Sequence, residues 1–425
     1  MKQNDMTKPF DVIVIGGGAT GAGIARDCAR RGIRVLLIER FDISTGATGR
    51  NHGLLHSGAR YAVTDQESAE ECIKENRILR RIASHCVEET DGLFLSLPED
   101  DIQYQAKFVD ACRRAGIRAD IIDPKEALLL EPSANPAIIG AVRVPDGAVD
   151  PFRLTTSNII DARNHGAEIL TYHEATELIR EQDRIVGVKA LDHRTKETKN
   201  YYANVVVNAG GIWGHNIAKM AGITVNMLPA KGALLIFGHR VNNIVLNRCR
   251  KPADADILVP GDTISLIGTT SSKVSFDEVD RMYVTPGEVD LLLREGEKLA
   301  PVLAQTRILR AYAGVRPLVA ADDDPSGRNV SRGIVLLDHA VRDGLEGFIT
   351  ITGGKLMTYR LMAEWTTDLV CRKLRIDKAC STADRPLPGS REAGQPASRP
   401  RKSALQRHGE LASHIASADN GDNSL

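Results

Sequence analysis

Net charge is the first thing this chain lacks. Its 55 Lys and Arg are matched by 55 Asp and Glu, a formal net charge of zero over 425 residues. That balance gives no electrostatic reason to expect a nucleic-acid partner. Long apolar runs are also missing. None approaches 18 residues, and the opening MKQNDMTKPF has no apolar h-region, so no transmembrane segment and no secretory signal are expected. The chain reads as soluble and cytoplasmic, able to dock on a membrane protein. The third absence is paired cysteine. The seven, at 28, 72, 86, 112, 249, 371 and 380, include no C-x-x-C and match neither zinc nor iron–sulfur spacing. Scattered reduced thiols and no metal are the expectation.

What is present organises the chain from its front. Val12 to Ile15 is a short, continuously apolar, β-branched run that suits a buried parallel strand. Gly16, Gly18 and Gly21 follow at dinucleotide-binding spacing. Gly16 permits a sharp turn, Gly18 lets backbone approach a pyrophosphate, and Gly21 lets helix and strand pack closely. A helix from Ala22 to Arg31 aims its free N–H groups at that pyrophosphate. Gly32 ends it, and the strand Val35-Leu-Leu-Ile-Glu39 closes on an acid 23 residues after Gly16. A carboxylate there accepts from ribose hydroxyls and repels a 2′-phosphate, so FAD or NAD fits and NADP does not.

Phe41 to Arg60 (FDISTGATGRNHGLLHSGAR) holds four glycines, two histidines (His52, His56) and two arginines (Arg50, Arg60). Small residues let backbone lie against an extended cofactor, and the basic groups would serve a site. An amphipathic helix is expected over Glu67 to His85, with Cys72, Ile78, Leu79 and Ile82 on its apolar side. Strand Gly92 to Leu97, helix Tyr104 to Ala115 and a Pro-punctuated segment follow. A helix then runs from Asp150 to Asn164, and Arg184 to Leu191 with Lys199 to Val207 reads as a hairpin. Val205-Val-Val-Asn208-Ala209-Gly210-Gly211 is another apolar strand feeding small residues. Met227 to Gly314 is strand-rich, with a helix over Glu288 to Leu299. Phe348-Ile-Thr-Ile-Thr-Gly353-Gly354-Lys355 reads as strand and turn before a helix to Lys373. That order places the Gly354 and Lys355 amides at a helix N-terminus, where they could hold an electron-rich ring edge or an anion.

With these pieces in place, the chain resembles the FAD-dependent glycerol-3-phosphate dehydrogenases, most closely the catalytic A subunits of the bacterial anaerobic enzymes. The likeness runs from Asp11 to Gly389 through GGGATGAGIARD, GRNHGLLHSGARY, VPDGAVDPFRL, LVPGDTISLIGTTS, GVRPL and ITGGKLMTYR. It implies an α/β plus α+β fold: a glutathione-reductase-like FAD-binding domain with a D-amino-acid-oxidase-like antiparallel β substrate cap. The expected FAD-binding domain is discontinuous (8–85, 146–222 and 312–388), the cap is 86–145 and 223–311, and 389–425 is a tail. The cofactor contacts expected are Gly16, Gly17, Gly18, Ala19, Thr20, Gly21, Glu39, Arg40, Thr45, Gly46, Thr48, Asn51, Ala209, Gly210, Gly353, Gly354, Leu356 and Thr358.

The implied reaction oxidises sn-glycerol 3-phosphate to dihydroxyacetone phosphate, with hydride leaving C2 for the flavin. A phosphate dianion needs fixed positive charge, and guanidinium groups bind it bidentately. Arg316 and Arg332 resemble the family's substrate-contacting arginines, and Lys355, Arg60, Tyr61 and Thr270 resemble further members of that pocket. Catalytic roles are expected of His56, Arg316 and Lys355. For the base, His56 has a suitable ordinary pKa of about 6.5. His52, Arg50, Thr270 and Arg316 stay as alternatives. The resemblance also implies partner subunits passing electrons to menaquinone, with the chain peripheral on the inner face of the cytoplasmic membrane.

Three other functions share parts of this pattern. An NAD-linked dehydrogenase would carry the first motif without needing Gly353-Gly354-Lys355. A flavin oxidase acting on another small hydroxy or amino substrate would have the same fold. A silent FAD-binding module would not need the basic residues. One departure from the family is large: the 35 residues after Ser390 contain no cysteine, where the anaerobic enzymes' catalytic chains carry a cysteine-rich domain. That tail has too few apolar residues to offset the entropy of ordering it.

Overall fold

The computed structural model describes residues 9–320, 330–331 and 333–390. The chain forms two compact units. One gathers the residues up to Gly49 with Phe152–Pro229 and Arg316–Pro388; the other gathers Arg50–Pro151, Ala230–Val315 and the stretch from Gly389.

In the first unit, β1 (Phe10–Ile15) leads through α1 (Ala19–Arg30) to β2 (Val35–Glu39). Four parallel pairings build the central sheet in the order Glu168–Thr171, β2, β1, Thr198–Asn208, Phe348–Gly353. Ile334–Asp338 adds an antiparallel edge to Phe348–Gly353. The two-residue period of β1 explains why its run is apolar throughout. Val12 and Val14 belong to one core with α1 and the helix Tyr359–Leu374, while Ile13 and Ile15 belong to another on the opposite face. Gly23 allows α1 to approach that second helix, since a Cβ there would lie 2.9 Å from the Tyr359 ring.

Two details differ from the sequence reading. Helix α1 begins at Ala19, three residues before the expected Ala22, because Gly18 is its extended N-cap at φ −75 and ψ 178. The hairpin expected over Arg184 to Leu191 and Lys199 to Val207 forms as Arg184–Asp192 and Thr198–Asn208 and gains a third strand, His173–Glu181, whose exposed polar residues blurred the alternation.

The second unit holds a mainly antiparallel sheet. Its order is Met227–Phe237, Ile264–Gly268, Ile257–Gly261, Val245–Arg248, Gly92–Ser96, Gly140–Val144, Asp120–Ile122. One pairing, Val245–Arg248 with Gly92–Ser96, is parallel. Leu93, Leu95, Leu235 and Leu258 face the helix Pro286–Leu299 through Leu292 and Leu299. Phe94, Val142 and Cys249 lie on the other face, with Phe108, Cys112, Ala69 and Ile73.

Residues 50–85, joined by the sequence reading to the FAD-binding stretches, cluster instead with this second unit, as do 146–151. The reason is pairing and packing. Leu54–Leu55 pairs with Gly147–Val149, and Ala59, Ala62, Ala69 and Ile73 share one core with Phe94 and Phe108. The expected helix over Glu67 to His85 forms as Gln66–Ile82, capped by the Asp65 side chain on the Ser68 amide. Among the described residues no helix is long and apolar enough to cross a membrane. The tail beyond Ser390 lies outside the described residues.

Candidate functional site

In the first unit the glycine turn is built by close backbone approach. Gly16 has φ +115, and a Cβ on it would meet the Ala209 carbonyl oxygen at 2.5 Å. Gly21 lies against the same turn, where its Cβ would fall 1.9 Å from the Gly16 carbonyl oxygen. Glu39 closes β2 and turns its carboxylate back on the turn: Oε2 accepts from the Gly17 amide at 2.6 Å and Oε1 from the Phe41 amide at 2.8 Å. The acid expected to meet a ribose is therefore held rigidly beside the glycines. Thr48 Oγ1 accepts from the Ala19 amide at 3.0 Å, which brings the small-residue loop over the start of α1. That loop packs inward, since a Cβ on Gly46 would meet the Trp213 ring at 3.0 Å. Arg40 stacks on Phe41 and Trp213, while Thr45 is exposed.

Asn208 organises the next contributor. Its Oδ1 accepts from the Gly210 amide at 3.2 Å and its Nδ2 donates to the Gly214 carbonyl at 2.9 Å, which shapes the Ala209–Gly210 turn. Gly353 and Gly354 both have positive φ, +76 and +64. Met362 links this pair to α1: its Sδ accepts from Thr20 Oγ1 at 3.7 Å and would lie 2.6 Å from a Cβ on Gly354. The expectation for the Gly354 and Lys355 amides is corrected. Gly354 N–H donates to the Gly333 carbonyl at 3.0 Å, and Lys355 N–H to Thr358 Oγ1 at 2.9 Å. The Lys355 amide is satisfied within the tight 3₁₀ turn Leu356–Thr358, and the Gly354 amide at the edge where Ile334 pairs with Gly353.

These residues fit a dinucleotide. Helix α1 has a glycine as its N-cap and no acid in its first turn, and although Thr48 takes the Ala19 amide, the positive end of the helix still suits an anion. The glycines leave a cradle with room for backbone alone, and the carboxylate stands at the end of β2.

The second unit carries the imidazoles. His56 is buried, its ring 5.3 Å from Tyr61 and 6.1 Å from His52 between centroids. His52 Nδ1 accepts from the Leu54 amide at 3.3 Å. Asn51, expected at the cofactor, holds the Gly53 amide with Oδ1 at 2.7 Å, and its carbonyl accepts from Tyr312 at 2.9 Å. Burial pushes the Tyr312 phenol up to about 12, so at neutral pH it is a donor and not a base. Arg60 Nη2 donates to the Ala253 carbonyl at 2.8 Å and lies 3.4 Å from Asp256 Oδ2, so Arg60 is tied to the sheet.

Thr270 Oγ1 accepts from the Ala233 amide at 3.0 Å and lies 3.3 Å from Glu288 Oε1. Lys231, a cation that sequence reading missed, donates to Glu288 Oε2 at 2.7 Å. Burial alone would raise the Glu288 carboxyl, but Lys231 and Thr285 outweigh it and hold the group low. No local pattern marks Lys231; a buried lysine in an apolar strand is its only signal.

Arg316 and Lys355 are half-buried and belong to the first unit. Arg332 lies outside the described residues. The first unit thus brings together residues 16–21, Glu39, Thr48, Ala209–Gly210 and Gly353–Gly354, whereas Asn51, His56, Arg60, Tyr61 and Thr270 belong to the second.

A family model described as FAD dependent oxidoreductase matches residues 11–360. The chain is 64% identical over 423 residues to the A subunit of the anaerobic glycerol-3-phosphate dehydrogenase of Haemophilus influenzae, covering 98% of this chain and 75% of that one. It is 67% identical over 418 residues to the corresponding A subunit from Escherichia coli, covering 96% and 77%. Among solved structures, the glycerol-3-phosphate dehydrogenase from Bacillus halodurans complexed with FAD superimposes with a TM-score of 0.67 at 26% identity, over 90% of this chain and 68% of that one. The L-alpha-glycerophosphate oxidase of Mycoplasma pneumoniae gives a TM-score of 0.72 at 18% identity, over 90% and 100%, a likeness of fold alone.

Proposed function

The chain belongs to the FAD dependent oxidoreductase family and, within it, to the A subunits of the anaerobic glycerol-3-phosphate dehydrogenases; from that premise we propose that it oxidises sn-glycerol 3-phosphate to dihydroxyacetone phosphate. The observation that carries this reading is the cradle of Gly16 to Gly21 and Glu39 in a chain 67% identical to one of those A subunits. Bound there, FAD supplies the two-electron acceptor for the hydride that leaves C2.

The remaining chemistry belongs to side chains. Glu39 and the α1 N-terminus hold the ribose and pyrophosphate ends of the cofactor. Arg316 and Lys355, both in the first unit, supply positive charge for the substrate phosphate. His56 takes the C2 hydroxyl proton on a ring nitrogen as the C2–H bond breaks, so that a neutral ketone is left.

Partner subunits and electron transfer to menaquinone at the inner face of the cytoplasmic membrane complete the proposal. Its support is that the relatives are themselves named as one subunit of a larger enzyme. The test is spectroscopic. The purified protein should show the two-band absorbance of oxidised flavin and bleach anaerobically with glycerol 3-phosphate. A colourless protein would remove the cofactor role, and a yellow one that does not bleach would remove the substrate.

A further inference from the structure

The peptide group that follows His56 is held at both of its polar ends by buried side chains. The His56 carbonyl accepts from Asn76 Nδ2 at 3.1 Å, and the Ser57 amide donates to Asp146 Oδ1 at 2.6 Å. We propose that Asn76 and Asp146 are positioning residues for His56, fixing the backbone from which its imidazole projects. The inference rests on the base role proposed above for His56.

Asn76 and Asp146 are each only 1% exposed. Asn76 sits in the helix Gln66–Ile82 among Cys72, Ile73 and Leu79, a position where an aliphatic side chain would pack at lower desolvation cost. Both ends of its amide are engaged. Nδ2 serves the carbonyls of Leu55 at 3.3 Å and Pro145 at 3.2 Å as well as that of His56, and Oδ1 accepts from Arg80 Nε at 2.9 Å. Arg80, one turn further on, donates Nη2 to the carbonyls of Pro145 at 3.1 Å and Asp146 at 2.8 Å. The same two segments pair as strands, Leu54 with Ala148 and Leu55 with Gly147. The polar groups of this core therefore converge on the backbone of 55–57 and 145–146.

Beyond the held peptide the loop cannot relax. Gly58 has φ +95, and a Cβ on it would meet the Ala69 carbonyl oxygen at 2.4 Å, so the chain turns directly against the helix. With the peptide plane and the turn both fixed, the position and direction of the His56 Cα–Cβ bond are set. The imidazole then rests against the Tyr61 ring. Proton acceptance is sensitive to such placement, since an error of about 1 Å can cost on the order of a hundredfold in rate.

The test is the anaerobic reductive half-reaction of the FAD-loaded enzyme with glycerol 3-phosphate, with flavin content and Tm recorded for each variant. Asn76→Ala should slow reduction by about tenfold or more and His56→Ala by about a hundredfold. The double variant should be no slower than His56→Ala alone, because residues acting through one group are non-additive. Losses that multiply would show that Asn76 supports the fold at large and would overturn the proposal. A His56→Ala enzyme as fast as the wild type would instead overturn the base role on which it rests. If Asn76→Ala fails to fold, Asp146 decides. Asp146→Ala should be slow, and Asp146→Asn, which keeps an oxygen facing the Ser57 amide, should recover rate relative to it. Equal rates for the two Asp146 variants would overturn the positioning role.

Discussion

Gly21 and Gly16 approach so closely that a methyl group on Gly21 would fall 1.9 Å from the Gly16 carbonyl oxygen. No rotamer can relieve that contact, because the position of a Cβ is fixed by its own backbone and its partner is a backbone carbonyl. Gly21→Ala must therefore push α1 away from β1 at the point where the cofactor cradle is formed. The cost is about 3 kcal/mol, at the upper end of overpacking. The variant should purify with little flavin, read as absorbance per protein. Stoichiometric FAD in Gly21→Ala would contradict the placement of the cradle.

Arg316 is proposed to grip the substrate phosphate. Lysine keeps the charge but loses the two-pronged contact, worth about 1–3 kcal/mol for a charged hydrogen bond. Arg316→Lys should raise the KM for glycerol 3-phosphate by about tenfold or more and change the slow reaction of plain glycerol little. Steady-state assays with an artificial dye measure both. Equal losses on the two substrates would move Arg316 to the C2 hydroxyl.

Asp161 pairs with two guanidiniums, Arg26 and Arg30, each with Nε at 2.6 Å, and its side chain is nearly closed to solvent. Asp161→Ala strips both cations of their partner and should cost about 3–5 kcal/mol. In a chain of this size that is a fall in Tm of about 3–6 °C. Burial pushes the Asp161 carboxyl up, but hydrogen bonds from Arg30 and Arg26 more than reverse it, leaving the group lowered. Its contribution is thus present above about pH 3.9 and lost as pH falls through the lowered folded value. The wild type should lose its advantage over Asp161→Ala in acid, measured by thermal melts. An advantage unchanged in acid would remove the ion-pair account.

Asp146 has the opposite sign. Burial raises its carboxyl, and the hydrogen bonds from Ser57 only partly offset this. Stability from such a group is complete below about pH 3.9 and is lost as pH rises through the raised folded value. Asp146→Asn removes the buried charge while keeping an acceptor for the Ser57 amide. The Tm of the variant relative to the wild type should therefore rise as the pH is taken upward from about 3.9. A difference that is flat across that range would remove the linkage.

Local features decided much of this protein in the sequence itself. A β-branched run followed by glycines at positions 16, 18 and 21 and an acid at 39 allows few structures. The strand period and the positive φ at Gly16 are set by residues a few places apart. Family membership was legible for the same reason, since its motifs are contiguous. Tertiary structure decided the rest through contacts between distant residues. Asn76 looks like an ordinary polar residue of an amphipathic helix until the fold sets it under the His56 carbonyl, and Asp146 meets Ser57 across 89 positions. Residues 50–85 join the second unit because Ala59, Ala69 and Ile73 share a core with Phe94 and Phe108. The Gly354 amide, which local order offered to a ligand, is taken by Gly333. In each case a buried group must find a partner, polar or apolar, and the partner it finds depends on the packing of the folded chain.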